Sequence, residues 1–275
     1  MKNRIFIGLL TMMMFFACSK NDDLIKSKVE KFTLSNEMID QIGVEHNKAL
    51  SFVFEGLKRN QKELNLGKEL KSLINNELYV FYKEVSYFRG ASKIAIEMTQ
   101  HQLKSVLFED AQTYSKSNDL NFQDLISTYS NNLSEAQKDL LLELERILND
   151  NNEDLEKILL KLDILEERTK LELASFEAQL ILIGIQVAKN SSCYWHENLN
   201  DWIEILGVTD VNHKNWFSWG DVIKGDVLGA IGGATSALFA NLVPGVGQVA
   251  YGSAILGGAV VGSVVAVADQ IYDHF

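Results

Sequence analysis

The sequence predicts an all-α fold: an antiparallel bundle of long helices, closed by a C-terminal glycine-zipper helical hairpin. Three observations carry this. From Ser35 to Lys189 apolar residues recur three or four apart, and the alternation of a strand is scarce. Pro244 is the only proline in the 275 residues. Between Gly225 and Ala266 small residues stand four apart in two rows, a spacing that lets two helices meet backbone to backbone.

Residues 1–17 read as a signal peptide. Lys2 and Arg4 supply a positive start, Ile5 to Phe16 an apolar run, and Ala17 a small residue before Cys18. The run is short of the roughly 20 residues that a spanning helix needs. Cleavage before a cysteine marks bacterial lipoproteins, and Ala17-Cys18 resembles that lipobox, although Phe15 and Phe16 stand where a leucine and a small residue are usual. The plainer reading is an ordinary signal peptide with a chance cysteine. The resemblance implies that Cys18 is lipidated, with palmitate-like chains in the membrane. Each buried methylene then contributes about 0.8 kcal/mol, and several chains anchor a protein stably. The acidic Asn21-Asp22-Asp23 stretch resembles the surface-export tags of Bacteroidota lipoproteins, which implies an outer-membrane, surface-exposed location.

Loss of Lys2 and Arg4 takes the formal charge from -11 to -13. Such an acidic chain repels nucleic acid, which is set aside as a partner. With Cys18 lipidated, Cys193 is the only other cysteine, so no disulfide can close within the chain. Stability must come from packing.

Residues 18–33 form a polar tether, and residues 34–190 the helix-bundle domain. A first helix starts near Ser35 or Asn36 and carries Ile39, Ile42, His46, Leu50, Val53 and Leu57 on one stripe. A second, after Gly67, carries Leu70, Leu73, Ile74, Leu78, Phe81, Val85 and Phe88. Gly90 ends or softens it, and Ile94, Ile96, Met98, Leu103, Val106 and Leu107 continue the pattern. Ser134-Glu135-Ala136-Gln137 is a capping box that opens the helix of Leu140, Leu141, Leu144, Ile147 and Leu148. One long helix is then expected from about Glu153 to Lys189. Its stripe is Leu155, Ile158, Leu159, Leu162, Leu165, Leu171, Phe176 and Leu180. Glu and Lys pairs line its outer side, each contributing only tenths of a kcal/mol.

Composition shifts near Ser191. Residues 191–220 read as a Trp-rich connector that holds all four tryptophans: Trp195, Trp202, Trp216 and Trp219. They suit a membrane interface or the joint between a bundle and an appended element. Residues 221–275 are the hairpin. Gly225, Gly229, Gly233 and Ala237 make one row; Ala250, Ala254, Gly258, Gly262 and Ala266 make the other. A four-residue step turns about 400°, so each row drifts slowly round its helix. The bulky Leu228, Ile231, Leu238 and Leu242 sit off the first row and Ile255, Val260, Val261 and Val264 off the second, and they are expected to face outward, as lipid would favour. Asp226 and Asp269 bracket the hairpin as polar ends. A hairpin packed within or along the bundle is the rival arrangement.

Chemistry-bearing patterns are few. His46 lies on an apolar stripe, which points to a satisfied core histidine over a ligand. Cys193 and His196 have ligand-like spacing but lack the further ligands that zinc requires, so no metal or other cofactor is expected. Nothing orients Cys193 with His196 or His213 as a nucleophile, and no phosphate loop, GxSxG or dinucleotide fingerprint occurs. A non-enzyme is expected.

The paired small-residue rows behind a lipobox resemble glycine-zipper envelope lipoproteins of the rickettsial surface-antigen type, over about a fifth of the chain. The whole layout, including the run Gly43-Val44-Glu45-His46-Asn47, resembles uncharacterised Bacteroidota glycine-zipper lipoproteins. That resemblance implies location and architecture, and no activity. Two functions follow as expectations. One is a non-enzymatic, lipid-anchored envelope protein whose hairpin (residues 227–268) contacts membrane lipid or joins copies into a homo-oligomer. The other is a membrane-active antagonist, resembling pore-forming toxins and bacteriocins, with the hairpin sheltered until it inserts.

Overall fold

A computed structural model describes residues 34–60, 68–86, 122–150, 154–205, 219–240, 252, 255–260, 262–264 and 266–267. It leaves the side chains at 68–72, 75, 82, 219 and 236–240 undescribed. Every regular element among these residues is helical, and the helices pack on one another as an all-α bundle.

Helix α1 (Asn36–Arg59) starts where the sequence places it. Ser35 is its N-cap and accepts from the Met38 amide at 3.3 Å. Its stripe of Ile39, Ile42, His46, Leu50, Val53 and Leu57 is buried. Helix α2 (Lys68–Val80) runs into a π-helical turn at Phe81–Val85, and Ser86 follows with its backbone N–H on the Phe81 carbonyl. The continuation from Ile94 to Leu107 lies outside the described residues. Helix α3 (Phe122–Thr128) leads to α4 (Glu135–Leu148), where Ser134 and Gln137 form the capping box.

The single long helix expected from Glu153 to Lys189 is two helices. Helix α5 (Leu155–Glu172) ends at Leu173, which is extended (φ -114°, ψ 146°), and α6 (Ser175–Ile205) begins after it. Leu173 is buried, so the turn tucks an apolar side chain where a break usually carries a polar one. Lys189 reaches back to Asp163 and Glu166, so α5 and α6 form an antiparallel hairpin. Leu171, expected on the apolar stripe, is 86% exposed, because its helical phase sets it opposite the buried Leu162, Leu165 and Thr169.

Helix α6 is the hub, with α1, α5, α4 and α7 (Trp219–Ala240) against it. Its first half is apolar nearly all round and buried from Ala178 to Ile185, as a central helix must be, while His196, Glu197, Asn200, Asp201 and Glu204 give its second half a solvent face. It also runs straight through Ser191, so the change in composition there is no break in the backbone. Helix α1 lies parallel to α6, since Leu34 bonds Gln179 and Asn47 bonds Asn190. The bundle is therefore not antiparallel throughout. Helix α7 runs antiparallel to α6, with Gly184 against Ile231 and Ser191 against Asp226.

Residues 255–260, 262–264 and 266–267 form the arm that returns along α7. Residues Leu34–Phe275 group as one compact unit.

Candidate functional site

The two small-residue rows face each other. A methyl carbon built on Gly225 would sit 2.9 Å from the Gly262 carbonyl oxygen and 3.0 Å from the Ala266 methyl. One on Gly229 would overlap the Gly258 carbonyl, and one on Gly258 the Gly229 carbonyl. Gly233 joins this contact through its backbone nitrogen. The side chain of Ala237 and all of Ala250 and Ala254 lie outside the described residues. A methyl carbon on Gly232, beside the row, would meet nothing within 4 Å among the described residues.

Among the described residues the bulky flanks do not face outward. Leu228, Ile231, Ile255, Val260 and Val264 are 0–6% exposed, covered by the rest of the chain. Ile231 reaches Gly184 of α6. Trp195 and Trp202 are likewise fully buried, against the expectation of interfacial aromatics. Trp202 is 5.3 Å from Trp195 and 5.4 Å from Phe54, ring centre to ring centre, and its N–H donates to the Tyr194 hydroxyl at 3.0 Å. Burial holds that phenol up at about 12. These rings fill the joint between α1 and α6. Trp216, Leu242, Val261, Asp269 and the Trp219 and Leu238 side chains lie outside the described residues, as do Cys18 and His213.

Asp226 is the residue that periodicity misplaced. It reads as a polar end, yet it is 0% exposed at the crossing of α1, α6, α7 and the returning arm. Ser191 Oγ and Trp195 Nε1 (3.1 Å) donate to its Oδ2, and Ser263 Oγ is hydrogen-bonded to its Oδ1. His46 Nε2 lies 3.2 Å from Ser263 Oγ and 3.6 Å from Asp226 Oδ2. His46 Nδ1 lies 3.1 Å from Asn47 Oδ1, and Asn47 Nδ2 donates to the Asn190 carbonyl at 2.9 Å. Next to His46 in the chain, buried Glu45 accepts from Ser86 at 3.0 Å and from Lys48 at 2.8 Å. The signal for Asp226 was its helical phase: it precedes Ala230 by four residues and Gly229 by three, which puts it on the face of the small-residue row.

The donor inventory fixes most protons. An amide oxygen only accepts, so His46 Nδ1 carries a hydrogen. One further proton is shared among Asp226, Ser263 and His46 Nε2. With the proton on Asp226, the carboxyl donates to Ser263, which donates to His46. With the proton on His46, a buried ion pair results. Burial favours the neutral arrangement. It pushes the Asp226 carboxyl well above its usual range, against hydrogen bonds from Ser191 and Trp195 that pull it down. It pushes His46 down to about 4, against the Asn47 bond.

The trio is not arranged for acyl transfer. A serine–histidine–acid triad puts the acid on one imidazole nitrogen and the serine on the other. Here Ser263 and Asp226 share Nε2, Asn47 holds Nδ1, and all three groups are sealed from solvent. Cys193 is a free, half-buried thiol; burial, then nearby Glu197, raises its pKa and so disfavours the thiolate. No cluster of ligating side chains suited to a metal occurs among the described residues. Among them, no helix is long and apolar enough to cross a membrane. No protein-family model matches the chain, and no curated protein or solved structure matches it significantly.

Proposed function

We propose a non-enzymatic, lipid-anchored envelope protein with a structural or interaction role, in which the glycine-zipper hairpin is the packing centre of its own bundle. The observation that carries this reading is the enclosure of the hairpin. Its bare faces mesh with each other, its bulky residues are buried, and α7 packs on α6, α4 and α3. Among the described residues the hairpin offers no exposed apolar face to lipid, which favours attachment through Cys18. The acidic outer surface meets water. Palmitate labelling of the full chain should disappear with Cys18→Ala. Residues 19–275, exported behind a cleavable signal peptide without a lipobox, should leave the membrane fraction. Retention of that chain in membranes would mean that the hairpin, and not the lipid, is the anchor.

The same enclosure supports a second reading, a membrane-active antagonist that shelters its hairpin. Purified residues 19–275 would then release dye from liposomes. Absence of release at acid, neutral and alkaline pH would remove this reading and leave the first standing.

A further inference from the structure

Helix α5 carries two apolar faces, and the bundle uses only one. Leu162, Leu165 and Thr169 are buried. Leu160 and Ile164 are each 59% exposed and Leu171 86% exposed. At about 100° per residue these three fall within about 40° of one another, on the side opposite the buried set. Single exposed apolar residues need no explanation. A row on one helix face is different, because its spacing is that of a coiled-coil seam. Lys157, Leu160, Ile164, Glu167 and Leu171 occupy successive a and d positions of a heptad.

The two charged members of this row select the partner. Lys157 is 63% exposed and pairs with Asp154 at 3.2 Å; Glu167 is 73% exposed and pairs with Lys170 at 3.2 Å. Such exposed pairs contribute little and re-form readily. Place a second α5 antiparallel across the row, so that Leu160 of one copy faces Ile164 of the other. Lys157 then faces Glu167 of the second copy, and the two-fold axis repeats both contacts. Along this row the patch complements itself, apolar on apolar and Lys157 on Glu167, which is the condition for a closed two-fold dimer. A parallel pairing in register would set Lys157 on Lys157 and Glu167 on Glu167, which opposes it.

We infer that the solvent face of α5 is a homodimer interface, in which two copies pair antiparallel through Leu160, Ile164, Lys157 and Glu167. An 18-residue helix is about 27 Å long. A single helix pair of that length lies at the small end of specific interfaces, so monomer and dimer exchange. The inference goes beyond the reading above and stands without the lipid anchor.

Sedimentation velocity on residues 19–275 over a range of concentrations tests it. A monomer–dimer equilibrium is expected. Ile164→Glu buries an unpaired carboxylate in the seam and should weaken the dimer by about thirtyfold or more, with an unchanged far-ultraviolet circular dichroism spectrum because Ile164 faces solvent in the monomer. Lys157→Glu and Glu167→Lys should each weaken it, and the double charge swap should restore it. A monomer at every concentration would overturn the proposal, as would a dimer that tolerates Ile164→Glu. Failure of the double swap to rescue would overturn the antiparallel pairing.

Discussion

A carboxyl group and an imidazole sealed in one core must settle how many protons they hold between them, and the answer sets a pH dependence. Folded, Asp226 and His46 hold one shared proton over a wide range, because Asp226 is raised and His46 is lowered to about 4. Unfolded, they also hold one between about pH 3.9 and 6.5, but on the histidine. The pair therefore adds no slope in that window. Above about 6.5 the unfolded chain loses its proton and the folded chain keeps it. Stability then falls as pH rises, by up to about 1.4 kcal/mol per pH unit, until Asp226 ionises. Asp226→Asn should reverse the sign. An amide can still donate to Ser263 and accept from Ser191 and Trp195. Only His46 then titrates, so stability should be flat above about 6.5 and fall as pH drops from 6.5 towards 4. Urea melts of the two proteins at several pH values check this; parallel profiles would place the shared proton elsewhere. Asp226→Ala, by contrast, leaves Ser191, Trp195 and Ser263 short of a buried partner and should cost about 1–3 kcal/mol at neutral pH.

At the scale of the helices, the test is a contrast between two neighbouring glycines. Gly to Ala in a helix interior is ordinarily stabilising by up to about 1 kcal/mol. A methyl carbon on Gly232 would meet nothing within 4 Å among the described residues, so Gly232→Ala should raise the melting temperature. Gly229 lies on the Gly258 backbone, which cannot swing aside as a flexible side chain would. Gly229→Ala must force α7 and the returning arm apart, and should cost about 1–3 kcal/mol. Equal effects at the two sites would mean the arms are not in backbone contact. The spacing of the rows was legible because a four-residue period and a lack of bulk are visible in any single helix. The starts of α1 and α4 were legible because Ser35 and Ser134 are caps followed by stripes. The turn between α5 and α6 was not. Leu171 to Ser175 contains no glycine or proline, and Leu173 is buried in the turn by tertiary contacts that local periodicity does not contain. Asp226, Ser263 and Ser191 escaped for the same reason: each is ordinary alone, and they meet only because the arms and α6 cross. His46 was read correctly as a core histidine from its stripe, without any sign of its partners.

For the molecule as a whole, the decisive question is whether the C-terminal arms are an appendage or part of one cooperative core. Residue Asp226 ties α7 to α1 through His46, to α6 through Ser191 and Trp195, and to the returning arm through Ser263. Helix α6, the partner of α1, α4, α5 and α7, contributes both Trp195 and Trp202 at full burial. The arms therefore cannot leave without stripping Asp226 from Trp195 and uncovering the face of the hub on which α7 packs. An appendage would behave otherwise: it would detach first, with little loss of helix from the remaining bundle. In a chain carrying Trp216→Phe and Trp219→Phe, emission reports Trp195 and Trp202 alone. Its denaturant transition should coincide with that of far-ultraviolet circular dichroism, with one midpoint and one slope, as a two-state core requires. Gly229→Ala should move both curves together to lower denaturant. A tryptophan transition that precedes the loss of helix would show the arms leaving as a separate unit, and would favour a hairpin that can be released whole from its bundle.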